Sequence, residues 1–322
     1  MLAVAGGMSV KGTKIVAFLA PARWLAVALA CLLAGLIGLP AVASAAAGRI
    51  AIESGGVTRT AFLVQHQRLK KARRPLVIIF RGSKDKSGRL RRAFGLEEMA
   101  RSSGPVLIYP EPVAGHWSDA PGPEASRDAV FIRDLISKLV SDGIADRHRI
   151  FIIGISSGGS IAFRLACDDA NAFAGVAAVV TGMPTELATS CKPSRPLPFL
   201  MIAGTADPLV PYQGGKANLP DSKSELLSVD ATLAIFAKSA GCGEGRTTTA
   251  FPDRDPRDAT RAYLDKLNGC RAPVELVRIE GGGHAIPGHW SGAGLDSARG
   301  QQRSSDVEAA KTIWDFFRRL SD

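Results

Sequence analysis

The sequence predicts an α/β chain whose central sheet is mostly parallel and covered by helices on both faces. Three observations carry that reading. Apolar runs recur at 75–80, 106–109, 150–153, 174–180 and 199–203, with a last strand read at 275–279, the pattern of strands buried on both faces. Segments with apolar residues at helical spacing lie between several of these runs, and alternation of the two makes βαβ units. Nothing repeats internally, and no low-complexity linker interrupts the 322 residues, so the length beyond a leader suits one large domain.

The first 45 residues read as a secretory signal peptide. Their only charges, Lys11, Lys14 and Arg23, precede an apolar run from Trp24 to Leu39, then Pro40 and the small residues of Ala41–Ala45. Basic, then apolar, then A-x-A is the order of a cleavable leader. The run of 16 residues is shorter than the roughly 20 a spanning helix needs. Cleavage is expected after Ala45 or Ala47, leaving a catalytic domain over 46–322, no membrane anchor, and an extracellular or periplasmic location. Loss of the three basic residues takes the net charge from +10 to +7. No basic block is interleaved with aromatics, so nucleic acid is not an expected partner. The chain is expected to be a monomer.

Cys167, Cys191, Cys242 and Cys270 remain in the exported part. Four cysteines allow three pairings, of which neighbour pairing is the simplest. Zinc would compete for them, but no C-x-x-C pair exists. Disulfides fit an exported chain, and neither a metal nor another cofactor is expected.

Along the mature chain, 49–65 reads as two antiparallel edge strands. Pro75–Phe80 and Val106–Tyr109 are buried strands, and Ala129–Val140 is a helix ending near Gly143. Arg149–Ile153 is the next strand, followed by Gly154-Ile155-Ser156-Ser157-Gly158 and then a helix from Ser160 to Ala166. Ala174–Val180 and Phe199–Ala203 continue the sheet. Leu226–Ala240 is a helix, Glu275–Ile279 the last strand, and Val307–Leu320 a closing helix.

The chemistry collects where strands end. A G-x-S-x-G turn between a strand and a helix is the setting of a nucleophile elbow, which lifts one serine hydroxyl above the sheet edge. That serine is Ser156. A hydroxyl needs a base, and the base needs an orienting carboxylate. Asp207 follows the strand Phe199–Ala203. His284 follows Glu275–Ile279 through three glycines that let the imidazole fold back. The order Ser, Asp, His is that of α/β-hydrolases. His148 is at the wrong end of its strand to serve as the base. His116 and His289 lie in polar loops, and His66 has no acid partner in sequence. The backbone N–H groups of Ser157 and Ser83 are the expected oxyanion donors.

These residues resemble the secreted esterases grouped with poly(3-hydroxybutyrate) depolymerases and feruloyl esterases. The resemblance covers most of 50–290. It is carried by Pro75–Gly82, Val106–Glu111, Asp128–Ile136, Gly154–Cys167, Gly204–Tyr212 and Glu280–Gly288. It implies an α/β-hydrolase fold, the triad Ser156–Asp207–His284, an oxyanion position at Ser83, and the bridges Cys167–Cys191 and Cys242–Cys270.

Two positions depart from that pattern. Arg81-Gly82 stands where the family usually has His-Gly. The arginine either pairs with a carboxylate such as Asp85 and holds its loop, or faces the cleft and attracts acidic esters. Ile286 stands where a tryptophan is often found, leaving Trp290 or Trp117 to supply an aromatic surface, with Tyr212 also flanking the substrate.

The function expected is secreted serine esterase, with polyhydroxybutyrate-type esters as first substrate reading and feruloyl or acetyl-xylan esters as the alternative. A serine peptidase and a non-catalytic secreted binding protein are the readings from other classes.

Overall fold

The computed structural model describes residues 45–66, 73–82, 91, 94–102, 104–113, 115–118, 122–218, 224–288 and 302–320. The leader expected from the sequence lies outside them. In chain order the elements are β1 (Ala45–Ser54), β2 (Val57–His66), β3 (Arg74–Phe80), α1 (Leu96–Ser102), β4 (Val106–Pro110) and α2 (Pro123–Ser141). Then come β5 (Ala145–Ile155), α3 (Gly159–Asp168), β6 (Gly175–Val179), α4 (Thr185–Ser190) and β7 (Phe199–Gly204). A small hairpin, β8 (Gly215–Lys216) and β9 (Glu225–Leu226), precedes α5 (Val229–Ala240). Last are β10 (Arg246–Ala250), β11 (Arg261–Leu267), β12 (Val274–Glu280) and α6 (Ala309–Arg318).

The main sheet has ten strands in the order β1-β2-β4-β3-β5-β6-β7-β12-β11-β10. Its middle, from β4 to β12, is parallel throughout. Both margins are antiparallel, β1-β2 beside β4 and β11-β10 beside β12. From β3 the chain steps one way to β4 and then, with β5, the other way towards β6 and β7. That reversal makes the crevice beyond the carboxyl ends of β3 and β5 the topological switch point, where ligands bind in such sheets.

The apolar runs are continuous because alternate residues enter opposite layers. Leu76, Ile78 and Phe80 of β3 join the layer that holds α2, α3 and α5, while Val77 and Ile79 face α1 and α6. Stacked rings bind each layer, Phe199 on Phe236 at 3.9 Å on one side and Phe151 on Phe317 at 4.5 Å on the other. Each such ring, fully buried, contributes roughly 1.5–3 kcal/mol. The predicted fold class is the one observed.

The differences have local causes. The helix expected from Ala129 begins at Pro123, because proline needs no N–H partner in a first turn. The helix expected from Leu226 begins at Val229, since the Ser228 hydroxyl accepts from the Ala231 N–H and fixes the start. The strands β10 and β11 were not expected. Every residue of β10 is exposed, so its run Arg-Thr-Thr-Thr-Ala has no apolar signature.

Two disulfides join Cys167 to Cys191 and Cys242 to Cys270 across 24 and 28 residues. The first ties the end of α3 to the end of α4, and the second ties the end of α5 to the turn before β12. Non-reducing peptide mapping should recover these two pairs alone and no thiol from residues 46–322. Replacing Cys242 and Cys270 by serine should cost about 3–4 kcal/mol in denaturant unfolding. A crossed pairing or a free thiol would contradict the arrangement.

Candidate active site

β5 delivers Ser156 at the switch point. Its φ is 52°, a left-handed conformation that costs a non-glycine residue of order 1–3 kcal/mol and persists only where neighbours enforce it. The enforcement comes from both sides. Ser156–Gly158 forms one 3-10 turn running directly into α3. Gly158 presses against the end of β3, where a Cβ would come within 2.3 Å of the Phe80 carbonyl oxygen, so no larger residue fits. Gly82, two residues beyond Phe80, meets the serine itself, its Cβ position 3.1 Å from Ser156 Cβ and 3.5 Å from Oγ.

The acid and the imidazole arrive on adjacent strands. Beyond β7, the Thr205 N–H donates to the Ile279 carbonyl and the Ala206 N–H to the Gly282 carbonyl, both at 2.9 Å. The Gly281 N–H returns a bond to Thr205 Oγ1 at 3.0 Å. The two loops are thus one hydrogen-bonded unit. Asp207 Oδ1 accepts from the N–H groups of Leu209 and Val210, each at 2.8 Å, which turns Oδ2 towards His284. His284 Nδ1 lies 2.8 Å from that oxygen, and Nε2 lies 2.9 Å from Ser156 Oγ. An ionised carboxylate only accepts, so Nδ1 carries the proton and Nε2 accepts from the serine hydroxyl. The Asp207 side chain is 3 % exposed and that of His284 11 %, so the relay is shielded from water except at the serine. This arrangement can take a proton from Ser156 and hold the resulting imidazolium beside a buried charge.

The remaining sequence candidates divide. Ser157 sits in the turn after Ser156. Ser83, Trp290 and His289 lie outside the described residues. Trp117 is below the cleft surface, 3 % exposed with its ring edge-on to Phe80 at 5.3 Å; it packs the core and does not present an aromatic face. Tyr212 is likewise buried, and loss of water pushes its phenol up to about 12, with Asp230 adding to the rise. Ile286 is half-buried and borders an open groove of about 570 Å³ between α1 and α6, with Pro287, Phe94 and Trp314. Ser156 does not line that groove, so it adjoins the relay without containing it. His148 is exposed in the first part of β5, away from the strand's carboxyl end.

Arg81 is buried and pairs with Glu111 at the end of β4; Asp85, the carboxylate named from the sequence, lies outside the described residues. Glu111 was missed as a site residue because its partner is 30 positions away in sequence; the signal available was a carboxylate one residue past a buried strand. No group of side chains among the described residues could hold a metal ion, and no described helix is long and apolar enough to cross a membrane.

Comparisons with known proteins place the chain among esterases. Residues 124–238 match the phospholipase/carboxylesterase family. NocK of Nocardia uniformis subsp. tsuyamanensis, whose assigned name is that of an esterase, is 33% identical over 67% of this chain and 66% of its own length. Feruloyl esterase B of Piromyces equi is 28% identical over 58% of this chain and 35% of its own. The chain therefore spans slightly under two thirds of the first relative and about a third of the second. The crystal structure of a thermostable esterase superposes with a TM-score of 0.52 at 14% identity, covering 87% of this chain and 63% of that one; it has the same fold.

The elbow separates the two adjacent serines. Ser156→Ala should lower p-nitrophenyl acetate turnover by at least about 10³-fold with an unchanged circular dichroism spectrum, whereas Ser157→Ala, which keeps its backbone donor, should retain most of it. Full activity in Ser156→Ala would remove Ser156 from the chemistry.

Proposed function

We propose that this chain, a member of the feruloyl esterase-like group of α/β-hydrolases, is an exported serine esterase that works through an acyl-enzyme. The observation that carries the reading is the unbroken relay from Asp207 through His284 to Ser156, at 2.8 and 2.9 Å.

Ser156 Oγ attacks the ester carbonyl carbon as its proton passes to His284 Nε2. The carbonyl π electrons move to oxygen, and the oxyanion is met by the N–H groups of Ser157 and Ser83. Collapse re-forms the carbonyl and breaks the bond to the alcohol oxygen, which takes the proton from Nε2. Water then gives a proton to the same nitrogen and attacks the acyl carbon. The second collapse returns the proton to Ser156 and releases the acid. Asp207 keeps Nδ1 protonated and stabilises the imidazolium without itself being protonated.

Hydroxycinnamoyl esters of plant polysaccharide are the substrate class favoured by the relatives, several of which bear the name feruloyl esterase. A polyhydroxybutyrate-type ester rests on the motif resemblance alone. The leader over 1–45 and the two disulfides support export.

A panel of methyl ferulate, acetylated xylan and hydroxybutyrate oligomers separates these readings. Methyl ferulate should be hydrolysed with the highest kcat/KM, by about tenfold or more, and in every case the activity should vanish in Ser156→Ala. Preference for the oligomers would move the chain to the polyester class. No Ser156-dependent turnover of any ester would overturn the esterase reading.

A further inference from the structure

We propose that the cavity between the start of β2, the loop after β4 and the first turn of α2 is a subsite for one uncharged pyranose unit. It is separate from the catalytic relay, none of whose residues line it. Its place in the reaction rests on the esterase reading: it holds the polysaccharide whose ester Ser156 cleaves.

The sheet sets its position. β2 and β4 pair antiparallel, and the Glu111 N–H donates to the Thr60 carbonyl at 2.9 Å, so the start of β2 lies beside the chain leaving β4. The first turn of α2 closes the third side. The space enclosed is about 200 Å³, below the roughly 300 Å³ at which pockets for drug-sized ligands begin, so it suits a single ring. β4, β3 and β5 are neighbours in the sheet, and two strand spacings amount to about 10 Å. The cavity therefore lies at the same edge of the sheet as Ser156, within reach of one oligosaccharide chain.

The lining sets the ligand class. Its floor is fixed: Arg59, 3 % exposed, donates to Asp128 Oδ1 at 2.8 Å and lies over the Phe131 ring at 4.1 Å. Packing of Trp117 against Phe80 seats its neighbours His116 and Ser118 on the wall. Arg127 and Glu124 complete the polar lining from α2. The formal charges of Arg59 and Arg127 cancel those of Asp128 and Glu124, so the cavity selects neither an anion nor a cation. Donors and acceptors stand side by side, and hydroxyl groups, each able to do both, match them. The rim is apolar. Val57, Val113 and Val130 are the large hydrophobic side chains exposed among the described residues, and the first two edge this one cavity. Scattered singly they would need no explanation; paired at a polar cavity they mark a contact surface, which the C–H face of a pyranose covers.

The probe is unesterified xylotetraose, titrated into the unaltered protein and followed by proton NMR of the histidine imidazoles. The His116 signal, identified by its loss in His116→Ala, should shift saturably, whereas that of His148, at the far end of β5, should not move. Glucuronate at equal concentration should leave both in place. Val113→Asp and Arg127→Ala alter exposed side chains and should keep the circular dichroism spectrum. Each should lower kcat/KM for a feruloylated arabinoxylan tetrasaccharide roughly 3- to 10-fold, chiefly through KM, with methyl ferulate unchanged within about twofold. No saturable shift of His116, a shift with glucuronate alone, no loss on the tetrasaccharide, or an equal loss on both esters overturns the subsite, while turnover of methyl ferulate keeps the esterase reading. A His116 shift with xylotetraose in a protein that hydrolyses no ester keeps the sugar site and overturns the esterase reading.

Discussion

The left-handed turn at Ser156 is the constraint to which the rest of the site conforms. A serine with φ of 52° is held there only because β5 ends against β3 on one side and enters α3 on the other. Gly158 permits the contact with Phe80, and Gly82 permits the chain leaving β3 to approach the serine side chain. Strain at one residue is offset by burial of the strands and helices around it. The same close approach brings Gly82, at the end of β3, against the Ser156 side chain, so the contact that places the hydroxyl also places the start of the loop proposed to serve it.

His284 and Asp207 are held by a different device. They are 128 and 77 residues from their partners in sequence, yet their loops share backbone hydrogen bonds across β7 and β12. The outer margin of the sheet adds support. Asp258, just before β11, accepts from the N–H and hydroxyl of Ser305, and Asp306 accepts from the N–H groups of Ala262 and Arg254. The Gln302 carbonyl in that same segment receives the Gly283 N–H at 2.8 Å. Hydrogen bonding to Thr260 and Ser305 keeps the Asp258 carboxyl below its usual range against the opposing effect of burial. The stretch from Arg254 to Ala262 thus braces, through residues 302–306, the loop that carries His284.

How much of this was legible follows from where the information resides. Parallel strands buried on both faces announce themselves as apolar runs, so β3, β5, β6, β7 and β12 could be placed within a few residues, and with them the strand ends that carry Ser156, Asp207 and His284. β10 could not, because an exposed margin strand of threonines has no periodic apolar face. Trp117 shows the limit for side chains: a tryptophan in a polar loop reads as surface, and only the tertiary packing turns it under Phe80. The partner of Arg81 was hidden for a similar reason. β4 lies beside β3 in the sheet, and the carboxylate that reaches the guanidinium among the described residues is Glu111, at the neighbouring strand's end.

The central claim is that the elbow makes Ser156 the nucleophile. Labelling the protein with a fluorophosphonate and mapping the adduct by peptide mass spectrometry tests it most directly, because the reagent forms its bond only with an activated hydroxyl. One phosphonyl group per chain on Ser156, absent when His284 is replaced by alanine, is the result predicted. An adduct on Ser157 or another residue, or undiminished labelling without the imidazole, would contradict it.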